Sequence, residues 1–241
     1  MYRTFSLCLA LMLWGTAQAD NHAQPTVYGQ YYSIVASNPG AVVAAMKKYR
    51  ESETGQKLSS TVTLSANIAN GTQKGTHTAA VFYPSAEAMQ DDLNTAIGSK
   101  DWAIFLSEMG QAANIEAENV FTQTKSRIND ESVAGPGTTT MLFGLTVFDV
   151  ERYMDALDTI MSSDAAEAFP GNLFAGQVVA MGDVAGTHWV SFVAKDIGTL
   201  LSGVETFMNS KDFAKYAEKA KDFRRVEGRF MSRAVLTLGP Q

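Results

Sequence analysis

The sequence predicts an α+β protein built from one βαββαβ unit written twice. Three observations predict it. Gly75-Thr76-His77 recurs as Gly186-Thr187-His188, 111 residues later, each time opening an apolar run. Ser99-Lys100-Asp101 recurs at the same ungapped offset as Ser210-Lys211-Asp212. Two tripeptides at one spacing indicate an internal duplication. The third observation is that the offset also carries over structural signals that are not identities.

The elements follow in order. Tyr31–Ser37 and Leu142–Phe148 are apolar runs of strand length. Asn38 and Asp149, at matching positions, are good helix N-caps, the first followed by Pro39 at the opening helical position. Val42, Val43, Met46 and Tyr49 then form one helical stripe, matched by Tyr153, Met154, Leu157 and Ile160. Thr61–Ala69 and His77–Tyr83 flank Asn70-Gly71, a hairpin turn signal. Asn172–Ala180 and His188–Ala194 flank Gly182-Asp183 in the second copy. A helix in two pieces follows in each half. Met89, Leu93 and Ile97, then Trp102, Phe105 and Leu106, map onto Leu200, Val204 and Met208, then Phe213, Tyr216 and Ala217. Last strands are expected at Ile115–Thr124 and Val226–Val235.

The boundaries expected are 28–125 and 140–238 for the repeats. A polar linker spans 126–139, with no apolar period. Residues 1–19 read as a secretory signal peptide: Arg3, an apolar stretch from Phe5 to Trp14, then Ala17-Gln18-Ala19 as the cleavage pattern. Residues 20–27 then form a flexible mature N-terminus, and the mature chain is expected in the periplasm or secreted. The only cysteine, Cys8, leaves with the signal, so disulfides, thiolate ligands and thiol nucleophiles are not expected. Losing Arg3 leaves 18 basic residues against 25 acidic ones, a net charge of −7. That balance argues against sequence-independent nucleic-acid binding, which needs a basic face. No later segment has the 18 or so uninterrupted apolar residues of a membrane anchor.

The βαββαβ order is the ferredoxin-like unit. A single unit leaves one sheet face bare, yet Leu142-Phe143-Gly144-Leu145-Thr146-Val147-Phe148 is apolar on both sides. Both faces therefore need cover. Two antiparallel sheets closing into a pseudo-dimeric α/β barrel would supply it. In this the chain resembles the dimeric α/β-barrel superfamily, which includes antibiotic-biosynthesis-monooxygenase-like domains, here fused in tandem. The resemblance covers nearly all of the mature chain and rests on element order and duplication. It carries no catalytic residue across, and the fold hosts several chemistries as well as binding-only members.

Candidate site residues are few. His77 and His188 stand where a hairpin passes into the third strand of each repeat. One reading has them lining the barrel interior or its mouth, as metal or haem ligands or as general bases. The other, which the symmetry favours, makes each a latch to Asp101 or Asp212 of its own repeat. Trp189 beside His188 marks the second half as the host of any ligand, with Trp102 a further aromatic candidate. Cleavage after Ala19 would expose Asp20-Asn21-His22, which resembles the amino-terminal copper- and nickel-binding motif. Its amine, two amides and imidazole give the square-planar nitrogens that suit Cu(II) and Ni(II). No other cofactor is required. Together these features predict an exported protein, monomeric or homodimeric, that binds a small, mainly apolar molecule between its two sheets. The alternatives are a cofactor-independent oxygenase-like or haem-handling enzyme in the same cavity, and an interaction protein whose barrel is filled by side chains.

Overall fold

The computed structural model describes residues 26–181 and 186–240. The first repeat runs β1 (Val27–Ala36), α1 (Pro39–Glu51), β2 (Thr61–Ala69), β3 (His77–Tyr83), α2 (Ala86–Ala96), α3 (Lys100–Ala112) and β4 (Ala113–Ile128). The second runs β5 (Thr139–Val147), α4 (Val150–Met161), the short α5 (Asp164–Glu167), β6 (Asn172–Met181), β7 (His188–Ala194), α6 (Ile197–Met208), α7 (Lys211–Ala220) and β8 (Arg224–Leu238). The sequence reading missed α5 and the single 3-10 turn at Gly55–Lys57, its counterpart in the first repeat. The second hairpin turn, Gly182-Asp183, lies outside the described residues, as does the whole of 1–25.

The strands close into one antiparallel barrel in the order β1-β3-β2-β8-β5-β7-β6-β4. Each repeat contributes four adjacent strands. The last strand of each is the longest and does two jobs. β4 pairs with β1 of its own repeat and, through its second half, with β6 of the other. β8 pairs with β5 and then with β2. These two seams leave no free edge. They also explain why β4 runs to Ile128, past the expected start of the linker at Ser126.

Caps recur at the repeat offset. The side chains of Asn38 and Asp149 accept from the N–H groups of Ala41 and Arg152, both at 3.1 Å. Ser85 and Asp196 cap α2 and α6, and Ser99 and Ser210 cap α3 and α7. Each is worth about 1 kcal/mol against alanine.

The helices cover the outside of the barrel, one core per repeat. Ile34, Val42, Met46 and Leu64 are buried in the first, and Leu145, Tyr153, Leu157, Leu200 and Phe207 in the second. The inner face is packed by rings laid over glycines. A Cβ on Gly29 would meet the Phe121 ring at 2.2 Å, and one on Gly176 would meet the Trp189 ring at 2.8 Å. Phe82, Phe121 and Trp189 then contact one another edge to face, each step 5.6 Å between centroids.

Candidate functional site

The two Gly-Thr-His segments build one device twice. The Thr76 N–H donates to the Ile34 carbonyl at 2.8 Å, and the Thr187 N–H to the Leu145 carbonyl at 2.7 Å. Each threonine hydroxyl also accepts a backbone N–H at the end of the first strand, from Ala36 at 2.9 Å and from Val147 at 3.1 Å. Each hydroxyl lies 2.9 Å from Nδ1 of the following histidine. Gly186 opens its segment at φ +117, a conformation that favours glycine. The motif therefore stitches β1 to β3, and β5 to β7, through threonine. The Thr187 hydroxyl thus accepts from Val147 while it shares a hydrogen bond with His188 Nδ1.

The expected latch to the acids does not form. Asp101 accepts the Thr54 N–H at 3.1 Å and Asp212 the Ala165 N–H at 3.4 Å, again at matching positions. The thirteen-residue α1 separates these turns from the histidine, roughly 20 Å at helical rise. The acids instead tie the start of α3 and α7 to the turn after α1 and α4. The N–H of Thr54 is the main reason that the Asp101 carboxyl lies below its usual range.

Nor do the histidines line the barrel interior. His77 pairs with Ile34 and His188 with Leu145, residues of the two helix-side cores. His188 is buried edge-on against Tyr153 of α4, ring centroids 5.1 Å apart. Its Nε2 and the Tyr153 hydroxyl are both buried without a hydrogen-bond partner. Burial lowers the pKa of both histidines and so keeps them neutral. Trp189, one residue on, faces inward. Trp102 lies on α3 between Tyr49 and Phe105, with centroids 5.3 and 5.2 Å away. The four aromatic and imidazole candidates thus occupy separate places rather than one site. Asp20, Asn21 and His22 lie outside the described residues.

A cavity among the described residues lies elsewhere. It lies in the second repeat, between the outer face of its strands and α4, α6 and α7, not between the two sheets as expected. Its volume is about 130 Å³, and Phe143, Leu157, Ile160, Phe192 and Phe207 are among its walls. Tyr216, Arg224 and Arg229 supply its polar rim. Arg224 Nε donates to the Tyr216 hydroxyl at 3.1 Å, and burial raises the pKa of that phenol. The first repeat narrows the corresponding region to a cleft of about 40 Å³ between α1 and α3, with Tyr49 and Phe105 among its walls. Tyr49, Trp102 and Phe105 pack there with centroids 4.9–5.3 Å apart. In the second repeat Ile160 takes the place of Tyr49, and the missing ring leaves room. Reading the repeats against each other for differences, rather than likenesses, would have pointed to Ile160, Arg224 and Arg229.

Haem does not fit this site. The volume matches one six-membered ring, close to the ~150 Å³ apolar cavity that accepts benzene. No imidazole or thiolate is among the wall residues. Among the described residues no group of three or more His, Cys, Asp or Glu is placed to hold a metal ion. No described helix is long and apolar enough to cross a membrane.

No family model matches the chain, and no curated protein matches it. Solved structures do. A monooxygenase-like protein from Lactobacillus acidophilus aligns over 88% of this chain and 94% of its own, with a TM-score of 0.55 at 12% identity. A chlorite dismutase-like protein aligns over 87% and 95%, with a TM-score of 0.52 at 10% identity. An anthrone oxidase-like protein aligns over 88% and 92%, with a TM-score of 0.52 at 9% identity. At such identities the likeness concerns the fold alone. The fold is that of a tandem-fused dimeric α/β barrel, as the duplicated sequence pattern implies.

Proposed function

We propose that this protein is an exported binder of a small, mainly apolar molecule, held under the helices of the second repeat. The supporting observation is the asymmetry of the two halves. A duplicated fold narrows this space with three rings in one repeat, to about 40 Å³, and widens it to about 130 Å³ in the other, where Ile160 replaces Tyr49. An apolar cavity with a few convergent polar groups is the usual form of a ligand site. The leader-like residues 1–19 support export to the periplasm or beyond, with the fused barrel acting as monomer or homodimer.

Thermal-shift and calorimetric titrations with toluene and indole test the reading. Binding to the wild type is expected, together with its loss in Ile160→Tyr, which restores the ring found in the first repeat. Leu157→Phe gives a second way of closing the cavity if the first variant folds poorly. If neither probe shifts the melting of the wild type, and the exported protein carries no organic adduct in native mass spectrometry, the proposal fails.

An oxidative enzyme using the same cavity is the second reading. The names of the monooxygenase-like and anthrone oxidase-like neighbours favour it. His188 would not serve as its base, because its Nδ1 is held by Thr187 and its Nε2 is buried against Tyr153. Oxygen consumption on adding an aromatic substrate would favour it over simple binding. The interaction-protein reading agrees with the ring-packed barrel interior but leaves the helix-side cavity unexplained.

A further inference from the structure

We infer that the molecule bound in the second-repeat cavity carries a carboxylate, gripped at the mouth by Arg224 and Arg229; the inference rests on the binding proposal above. The strand β8 makes the grip through a bulge. Its register with β5 shifts between Gly144 and Leu145, where Val147 pairs with Arg224, Leu145 with Val226 and Phe143 with Arg229. Leu145 and Phe143 belong to the helix-side core, so Arg224, Val226 and Arg229 all face the helices. Without the extra residue the two arginines, five apart, would lie on opposite faces.

The same bulge turns Glu227 to the opposite face. Glu227 accepts from Arg225 at 2.7 and 2.9 Å and from the Thr146 hydroxyl, which lies on the other side of the strand from Leu145 and Val147. Arg225 thus consumes the charge of Glu227. Among the described residues neither Arg224 nor Arg229 has a carboxylate partner. They lie instead over rings: Arg224 5.2 Å from the Tyr216 centroid, and Arg229 5.3 Å from that of Phe143. In a chain with 25 acids against 19 bases, two unpaired guanidiniums at one cavity mouth are contrary to the general balance.

The fold does not need them. The first repeat has the same bulge, with its register shift between Ser33 and Ile34, yet the matching positions hold Ala113 and Glu118. The pair is specific to the half that has the larger cavity. Guanidiniums set over rings, rather than paired with acids, keep their outer N–H groups available for the two oxygens of a carboxylate. An apolar body of about one ring with a carboxylate is the class that fits.

The test is calorimetric titration of the full mature protein with benzoate and phenylacetate, and with benzyl alcohol and toluene as neutral counterparts. At low salt the carboxylates are expected to bind about tenfold or more tightly. That ratio should fall towards one in Arg229→Gln and in Arg224→Gln, and shrink at high salt. Arg229 is exposed, so its variant should fold. If the neutral probes bind as well as the carboxylates, the inference is overturned and the binding proposal stands. A carboxylate preference that survives both substitutions also overturns it. If no probe binds the wild type, the inference is overturned, and native mass spectrometry of the exported protein then decides the binding proposal: an organic adduct keeps it and a bare chain ends it.

Discussion

Replacing Thr187 and Thr76 separately with valine tests whether the repeated Gly-Thr-His device works as described. Valine keeps the shape and removes the hydroxyl. Each change deletes a contact to a strand-end N–H and one to a histidine Nδ1, at 2.9–3.1 Å, and Thr76→Val also deletes a longer bond, 3.3 Å, from the hydroxyl to the Ile34 carbonyl. The two sites differ in burial. His188 is only 6% exposed, whereas His77 is half-buried and its contact to Thr76 reaches solvent. The strand-end N–H can turn to water in both variants, a loss of about 0.5 kcal/mol each. Nδ1 of His188, on a residue only 6% exposed, does so less readily, and a buried polar atom left unpaired costs about 1–3 kcal/mol. Thr187→Val should therefore cost about 2 kcal/mol and Thr76→Val less than 1 kcal/mol. For a chain of this size those figures correspond to melting shifts of about 4–8 °C and about 2 °C. Equilibrium urea unfolding and calorimetry of both variants would measure them. Equal losses at the two sites, or none at Thr187, would refute the role given to His188 burial.

Other outcomes follow from the same geometry. Burial lowers the pKa of His77 and His188, so the unfolded chain binds more protons below about pH 6.5. Their contribution to stability is complete above that pH and is lost as pH falls through the lower folded values. The melting temperature should drop from pH 7.5 to 5, and His188→Phe should flatten part of the drop. Gly176→Ala would place a Cβ 1.7 Å from the Thr122 carbonyl oxygen in the β4–β6 seam. A loss of about 3 kcal/mol, or failure to accumulate folded protein, is expected; a soluble variant with wild-type melting would contradict the seam packing. Protein exported with its own leader should begin at Asp20 by intact mass. Deleting Asp20–His22 should then abolish Cu(II) binding, read by the visible absorption of the square-planar complex, and leave melting unchanged.

What the sequence by itself determined is the local and the repeated. Caps such as Asn38 and Asp149 act within three residues, and the apolar stripe of α1 recurs in α4, so element order and duplication were legible. Strands apolar on both faces demanded a partner sheet, and the closed barrel meets that demand. What only the tertiary structure decided is which face each residue takes. Strand parity is countable only while no residue is inserted, and the bulges at Ser33/Ile34 and Gly144/Leu145 each insert one. That shift brings Arg224 and Arg229 to one face and turns Glu227 to the other. His188 lies under the helices and Trp189 inside the barrel, although they are neighbours in the chain. The cavity arises where α4, α6 and α7 meet the sheet, from a ring missing at Ile160. An absence of that kind has no local signature, because its volume depends on what three other elements bring to the same place.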